Sequence, residues 1–323
     1  MKQRAISLAL QGGGSYGAFT WGVLDRLLED AGIEIMGVSG ASAGAINATL
    51  LAHGLTIGGR QGARRALAEF WGSVAGTLPN SIVESLVFLT RFFSPAQFNP
   101  FNLNPVRDLL AKQIDFERLR VACELPIFIS ATNVRTGMPR LFRTAEITAD
   151  VLLASACLPT IHRTVEIERE AYWDGGLSAN PPVRPLLYEC DASDIVLVLL
   201  HPNRRPEVPV SAEDIAARWT ELSFSASLFS ELEGISLAKR EAERSVFSVG
   251  RLERRLRRLN LHRICAPEVI NGMSMQSRLN TQSAFMGLLF EAGRTQADAW
   301  LGEPGKLAAH GQVEQGVAAP ARQ

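Results

Sequence analysis

The 323-residue sequence has no excess charge of either sign and few cysteines. Its 33 Lys and Arg residues balance 33 Asp and Glu residues, so its overall charge favours binding neither to nucleic acid nor to an anionic membrane. The four cysteines are widely spaced, and no two of them have the spacing of metal ligands. We therefore expect buried free thiols in a reducing cytoplasm, and no metal site.

Long apolar runs are also absent. No stretch is long enough to cross a bilayer, and the apolar run at residues 5–10 is too short for the core of a signal peptide. The sequence has no internal repeat. A chain of this length could hold one large α/β domain or two smaller ones.

What the sequence does contain is an alternation of strand patterns and helix patterns. Short apolar runs at 5–10 and 33–38 flank a helical pattern at 18–30, which predicts a βαβ unit with parallel strands. Further strands are predicted at 125–131, 171–173, 195–200 and 261–266, and further helices at 151–157 and 284–301. The pattern indicates an α/β fold whose parallel strands end at one common edge.

A Gly-x-Ser-x-Gly motif occupies the turn after the second predicted strand. Residues 40–44 read Gly-Ala-Ser-Ala-Gly, and the helical pattern at 45–52 is expected to end at Gly54. Strand, turn and helix in this order are typical of a nucleophile elbow, in which glycines flank a serine on a sharp turn. The motif predicts Ser42 as a nucleophile. The alternative is a turn rich in small residues without chemistry.

A glycine loop, Gly-Gly-Gly-Ser-Tyr-Gly at residues 12–17, follows the first predicted strand. Its glycine spacing matches a dinucleotide-binding loop. That fingerprint expects an acidic residue at the end of the second strand, however, and Glu34 lies near its start. We favour an oxyanion hole, because the serine motif stands where the ribose contact should be. The residues assigned to this hole are Gly12, Gly13, Gly14 and Ser15.

The third motif is Asp174-Gly175-Gly176, directly after a predicted strand. Asp-Gly is a common turn by itself, but Asp174 could also serve as the base for Ser42. An aspartate is a weak base for a serine hydroxyl unless partial desolvation raises its pKa. Tyr172 and Trp173 could supply that apolar cover.

Together these motifs, in this order, resemble the patatin-like phospholipase family. The resemblance covers about residues 5–205 and includes two further blocks, 154–159 and 180–182. It implies a Ser42–Asp174 dyad without histidine, metal or cofactor, and a three-layer α/β/α sandwich around a mostly parallel sheet. Family members often have Lys or Arg in the glycine loop where this chain has Tyr16, which leaves the headgroup preference open. The motif glycines are Gly17, Gly40, Gly44, Gly175 and Gly176.

Three other functions are compatible with parts of the sequence. A Ser-His-Asp triad on an α/β-hydrolase fold would need a histidine after Asp174, and His201 follows the strand predicted at 195–200. We expect His201 only to end that strand. The other two are a dinucleotide-binding oxidoreductase and a lipid-binding protein without catalysis.

Two segments outside the motifs bear on lipid contact. Residues 81–98 are broadly apolar, which indicates either a core or partner-facing helix or a cap over the site that meets acyl chains. Residues 251–259 place leucines on one helical face among five arginines. This pattern indicates a packed helix with a solvated basic face, or alternatively a contact with anionic lipid headgroups.

The sequence thus predicts a cytoplasmic hydrolase of lipid carboxyl esters, with a lipid or fatty-acyl ester as its partner. Peripheral contact with a membrane or lipid surface is an option, and no nucleic acid is expected. We divide the chain into a catalytic domain at 5–205 and a helical extension at 206–301 packed on the same domain. Residues 302–323 are predicted to be a disordered tail, because they have little to bury.

Overall fold

The computed structural model describes residues 3–76, 94–99, 104–201, 207–244, 250–267 and 275–302. Its strands are β1 (Arg4–Leu10), β2 (Ile33–Gly40), β3 (Ile127–Asn133), β4 (Pro139–Arg143), β5 (Val165–Ile167), β6 (Glu170–Asp174), β7 (Asp194–Leu199) and β8 (Asn260–Cys265). Its helices are α1 (Gly17–Glu29), α2 (Ala43–Val74), α3 (Pro95–Phe98), α4 (Pro105–Gln113), α5 (Phe116–Ala122), α6 (Ala149–Ser155), α7 (Arg184–Glu189), α8 (Ala212–Arg244), α9 (Arg251–Arg258) and α10 (Ser283–Gly302).

One sheet organises the described part of the chain. Its strand order is β5-β6-β3-β2-β1-β7-β8, with β4 also paired to β3. The pairs β3–β2, β2–β1, β1–β7 and β7–β8 are parallel. The strands β4 and β6 pair antiparallel with β3, and β5 pairs antiparallel with β6. The parallel strands therefore end together at one edge, which we call the carboxyl edge, and begin at the opposite amino edge.

Two hydrophobic cores lie on the two faces of the sheet. In β7, Val196 and Val198 belong to one core, and Ile195 and Leu197 belong to the other. This is the alternation of side chains expected of a strand that is covered by helices on both faces. The mixed α/β architecture with a mostly parallel central sheet is therefore confirmed.

The predicted elements match the structure within a few residues for the strongly apolar strands and for α1, α6 and α10. Strands β4 and β5 were not predicted, and both are short antiparallel pieces. The expectation of buried thiols is only half right. Cys157 and Cys190 are buried, whereas Cys123 is half-buried and Cys265 is exposed; all four are free.

The prediction that Gly54 ends the second helix is wrong. α2 continues through Gly54 and is interrupted at Gly58 and Gly59, whose backbone angles are not helical. A Cβ atom at Gly54 would lie 2.3 Å from the Cα atom of Ala63. Gly54 therefore allows the two halves of α2 to pack closely against each other, and does not serve as a helix terminator.

The predicted helical extension also contributes a strand, because β8 pairs with β7 in the sheet. The basic helix α9 is held to the body of the protein: Leu256 and Leu259 are buried, and Arg255 donates to the carbonyl oxygen of Leu187. Most of segment 81–98 and of the predicted tail 302–323 lies outside the described residues. No helix within the described ranges has the length and apolarity that crossing a bilayer requires.

Candidate active site

Ser42 stands on a strained turn between β2 and α2. Its φ is 53° and its ψ is −125°, a left-handed conformation that is unfavourable for a residue other than glycine. The turn is tightly enclosed, since a Cβ atom at Gly44 would lie 2.1 Å from the carbonyl oxygen of Leu10. The backbone N–H of Ser42 donates to Oγ of Ser155 at 2.9 Å. A serine with positive φ on a turn between a strand and a helix is the arrangement that a nucleophile elbow requires.

Asp174 reaches the same region through strand β3. Gly40, at the end of β2, pairs with Ile129, and Asp174, at the end of β6, pairs with Ala131 two residues further along β3. Strand pairing thus brings two motifs together that are more than 130 positions apart in the sequence. The side chain of Asp174 is fully buried.

Burial dominates the electrostatics of Asp174 and raises the pKa of its carboxyl to about 7. A hydrogen bond from the Gly176 N–H to Oδ1, at 2.7 Å, partly opposes this shift. The Ser42 hydroxyl also lowers the pKa. Oδ2 nevertheless has no hydrogen-bond partner of standard geometry among the described residues. Such a loose contact is common in an enzyme without bound substrate.

The glycine loop lies directly against the elbow. A Cβ atom at Gly12 would be 2.8 Å from the Cβ atom of Ser42. The Gly12 N–H donates to Oδ1 of Asn180 at 2.7 Å, so this N–H group is already engaged. Gly14 has a φ of 61°, and no described residue accepts a hydrogen bond from the N–H groups of Gly13 or Gly14.

The other predicted site residues also lie around this turn. Ser15 is buried in the 3-10 turn before α1, and its hydroxyl donates to the carbonyl oxygen of Ser277. The remaining motif glycines lie where another segment approaches closely: Gly17 at Ala43, Gly40 at Gly44, Gly175 at Ser130, and Gly176 at Phe224.

Asn180 and Ser155 connect the motifs, although neither residue was predicted to have a role. Asn180 is fully buried; its Oδ1 holds the glycine loop, and its Nδ2 donates to the carbonyl oxygen of Phe224 at 2.9 Å. Ser155 is also fully buried and holds the backbone of Ser42. Only their occurrence in the blocks 180–182 and 154–159 pointed to them.

His201 does not complete a triad with the two residues. It is buried beside Gly13, and no hydrogen bond among the described residues joins it to Ser42 or Asp174. Burial, together with the positive charge of Arg278, lowers the pKa of its imidazole to about 3. Its environment therefore keeps the ring uncharged at neutral pH.

The dinucleotide interpretation lacks its acidic partner. Glu34 pairs with Ala5 near the start of both strands, and so it lies at the amino edge, away from the glycine loop. The described residues also contain no group of three or more His, Cys, Asp or Glu side chains arranged to hold a metal ion.

Comparison with known proteins identifies the family. The model of the patatin-like phospholipases matches residues 8–187, and the chain belongs to this family. Among solved structures, VipD from Legionella pneumophila aligns with a TM-score of 0.47 and 16% identity over 94% of this chain and 67% of its own. The ExoU–SpcU complex from the type III secretion system of Pseudomonas aeruginosa aligns with a TM-score of 0.31 and 14% identity, over 93% and 76%. A search of curated proteins found no match.

Proposed function

We propose that this protein hydrolyses carboxyl esters of lipids through a Ser42–Asp174 dyad and an acyl-serine intermediate. The observation that carries the proposal is the buried Asp174 carboxyl, which interacts with the hydroxyl of the strained Ser42 and has a pKa raised to about 7. Its Oδ2 atom has no hydrogen bond of standard geometry among the described residues. Membership of the patatin-like phospholipases supports a lipid ester as the substrate.

The first step is the attack of Ser42 Oγ on the ester carbonyl carbon, while the hydroxyl proton moves to Oδ2 of Asp174. A carboxyl with a pKa near 4 would hold this proton poorly, whereas a pKa of about 7 suits a base that works at neutral pH. The neutral His201 is not required, because the carboxylate itself accepts the proton.

The oxyanion of the tetrahedral intermediate would be stabilised by the N–H groups of Gly13, Gly14 and Ser15. Gly12 is left out of this revised assignment, because its N–H already binds Asn180. Asn180 instead acts as a positioning residue that fixes the loop against the elbow. Loss of one oxyanion donor typically lowers the rate by about 10² to 10³.

Collapse of the intermediate breaks the bond to the alcohol, which leaves with the proton held by Asp174. A water molecule then attacks the acyl-serine ester and gives its proton to Asp174. The second collapse releases the fatty acid and returns the proton to Ser42. No step draws on a cofactor.

A fluorophosphonate probe tests the proposal, because it labels only an activated serine. The wild type should be labelled at Ser42, and Ser42→Ala should not be labelled. Ser73→Ala is the matched control, since Ser73 lies on α2 as well but is exposed; it should be labelled like the wild type. Absence of labelling in the wild type, or labelling that persists in Ser42→Ala, would contradict the proposal.

We further propose that the protein works in a reducing cytoplasm, in line with its free cysteines. Residues 5–205 would form the catalytic domain, and residues 206–301 an extension packed on it. The apolar part of 81–98 and the arginines of α9 stay candidate lipid contacts.

A further inference from the structure

An apolar surface lies on the first turns of α8 and on the segment before it. Val208 and Val210 lie in the segment before the helix and are 85% and 87% exposed. Trp219 lies on the helix and is 73% exposed. Ile215 and Leu222 are each 48% exposed. We refer to these five residues as the α8 apolar surface. Large apolar side chains grouped in this way on a protein surface usually mark an interaction site.

The helical part of this surface is a second face of α8, distinct from the one that packs on the protein. Ile215, Trp219 and Leu222 follow the i, i+4, i+7 spacing of one helix face. The packed face begins at Glu221 and continues through Ser225 and Leu228, all of them buried. Within the described residues, the fold therefore packs one stripe of the helix and leaves the other exposed.

The helix that carries the α8 apolar surface also contacts the candidate active site. Phe224 packs on Gly176, since a Cβ atom there would lie 2.5 Å from the Phe224 ring. The carbonyl oxygen of Phe224 also accepts the hydrogen bond from Asn180, which holds the glycine loop. Trp219 precedes Phe224 by five residues, or about 7.5 Å along a helix axis. Five residues also correspond to a rotation of about 140° around the axis, so a layer resting on the apolar surface would lie on the outer side of the helix whose inner side contacts the site.

The area and the charge of this surface distinguish between a protein partner and a lipid surface. Five side chains at these exposures present on the order of 600 Å² of apolar surface, whereas a stable protein interface buries roughly 800 Å² on each partner. Arg218 is the one positive residue between 207 and 222, where four are acidic, and it is paired with Glu221 at 3.2 Å. Residues 207–222 thus offer no cluster of cations to anionic headgroups, although Arg204 and Arg205 precede them in the sequence, whereas an uncharged or zwitterionic surface needs none.

We propose that the α8 apolar surface docks the protein onto an uncharged or zwitterionic lipid surface. This inference rests on the proposed lipid hydrolase function, for which docking would bring the protein to the surface that holds its substrate. Trp219 suits such a place, because tryptophan prefers the boundary between apolar chains and headgroups. Apolar burial then provides the binding free energy, so binding should depend little on salt concentration.

The test is sedimentation with phosphatidylcholine vesicles, carried out with the full-length Ser42→Ala protein so that binding is measured independently of catalysis. The double substitution Trp219→Ser and Leu222→Ser should weaken vesicle binding by about tenfold or more. Leu237→Ser is the matched control, since Leu237 lies on the same helix and is 53% exposed. It is about 27 Å from Trp219 along the helix axis. The control should bind like the parent protein.

Activity measurements with Ser42 intact separate docking from chemistry. The Trp219/Leu222 variant should hydrolyse a soluble short-chain 4-nitrophenyl ester within about twofold of the wild-type rate, but lose hydrolysis of phosphatidylcholine vesicles. Three outcomes would overturn the proposal. They are vesicle binding that survives the double substitution, binding only to phosphatidylglycerol vesicles in a salt-sensitive manner, and a solution dimer that the substitution dissociates.

Discussion

The two edges of the sheet each carry an aspartate and a histidine, but in opposite environments. At the amino edge, Asp194 is bonded to His262 and forms an ion pair with Arg4 at 3.3 Å. At the carboxyl edge, Asp174 and His201 do not bond to each other, and the structure describes no cation paired with Asp174. The Asp–His pair that resembles part of a triad therefore lies at the edge away from Ser42.

The pKa values of the two carboxyls express this difference. Burial raises the pKa of both, but at Asp194 the hydrogen bond from His262 and the charge of Arg4 outweigh burial, and its pKa is lowered. At Asp174 the hydrogen bonds oppose burial only in part, and its pKa rises to about 7. The burial of Asp194 is compensated by its partners, whereas the uncompensated burial of Asp174 lowers the stability of the fold and gives this carboxyl the raised pKa that the proposed base requires.

The largest effect should come from removing the two groups proposed to react. Ser42→Ala and Asp174→Asn should each lower the rate of ester hydrolysis by at least ~10³, because nucleophile and base act as one unit. For the same reason the double variant should be little slower than either single one. Asp194→Asn, at the other edge, should keep the rate within about twofold.

These rates are to be measured on a short-chain ester, with circular dichroism to show that each variant is folded. A folded Asp174→Asn protein that retained most of its activity would exclude the dyad, even if Ser42 proved essential.

The dependence of the rate on pH should report the environment of Asp174. The base must be ionised to accept the serine proton, so kcat/KM should rise with pH and level off above the pKa of about 7. An aspartate with an ordinary pKa would give full activity already at pH 5. A profile that is flat from pH 5 to pH 8 would show that Asp174 is not the base, or that its burial is relieved in solution.

The same change, Asp to Asn, should affect stability with opposite sign at the two edges. Because the pKa of Asp174 in the folded protein lies above the ordinary aspartate value of 3.8, stability is lost as pH rises through about 7. Asp174→Asn should therefore gain roughly 2 to 3 kcal/mol relative to the wild type between pH 5 and pH 8. The pKa of Asp194 is lowered, so Asp194→Asn should destabilise the protein at pH 7 by about 1 kcal/mol.

Urea unfolding of the wild type and of both variants at pH 5, pH 7 and pH 8 measures these differences in stability. A loss of stability in Asp174→Asn at pH 8 would contradict the uncompensated burial of this carboxyl. In that case the hydrogen bond from Gly176, rather than desolvation, would dominate its energetics.

The sequence predicted those features that depend on neighbours along the chain. The alternation of apolar strands and helices indicated the parallel sheet, and the local spacing of glycines around Ser42 indicated the elbow. The bonds that assemble the site link distant residues: Gly12 binds Asn180 across 168 positions, and Ser42 binds Ser155 across 113. No periodicity in a single sequence encodes such pairs.

The error at Gly54 has the same origin. A glycine that ends a helix and a glycine that lets two helices approach are identical in sequence, and only the position of Ala63 distinguishes them. The exposure of Trp219 is a comparable case, because an apolar helix position is usually buried.

The smallest effect is expected from His201→Ala, the change that tests whether the carboxyl edge holds a hidden triad. In a triad, loss of the histidine base would lower turnover by several orders of magnitude. In this protein the imidazole lies against Gly13, carries no hydrogen bond on Nε2 from a described residue, and has its pKa lowered to about 3. Its removal should disturb only the packing under the glycine loop and the interaction of the imidazole with the Gly12 backbone. We expect a rate change of less than about tenfold, which corresponds to a perturbation of ~1 kcal/mol, and continued labelling of Ser42 by the fluorophosphonate. His262→Ala, at the amino edge, is the matched control for loss of a buried histidine. A thousandfold drop in a folded His201→Ala protein, but not in His262→Ala, would transfer the role of base from Asp174 to His201. The two edges would then differ only in whether the hydrogen bond between aspartate and histidine forms before substrate binds.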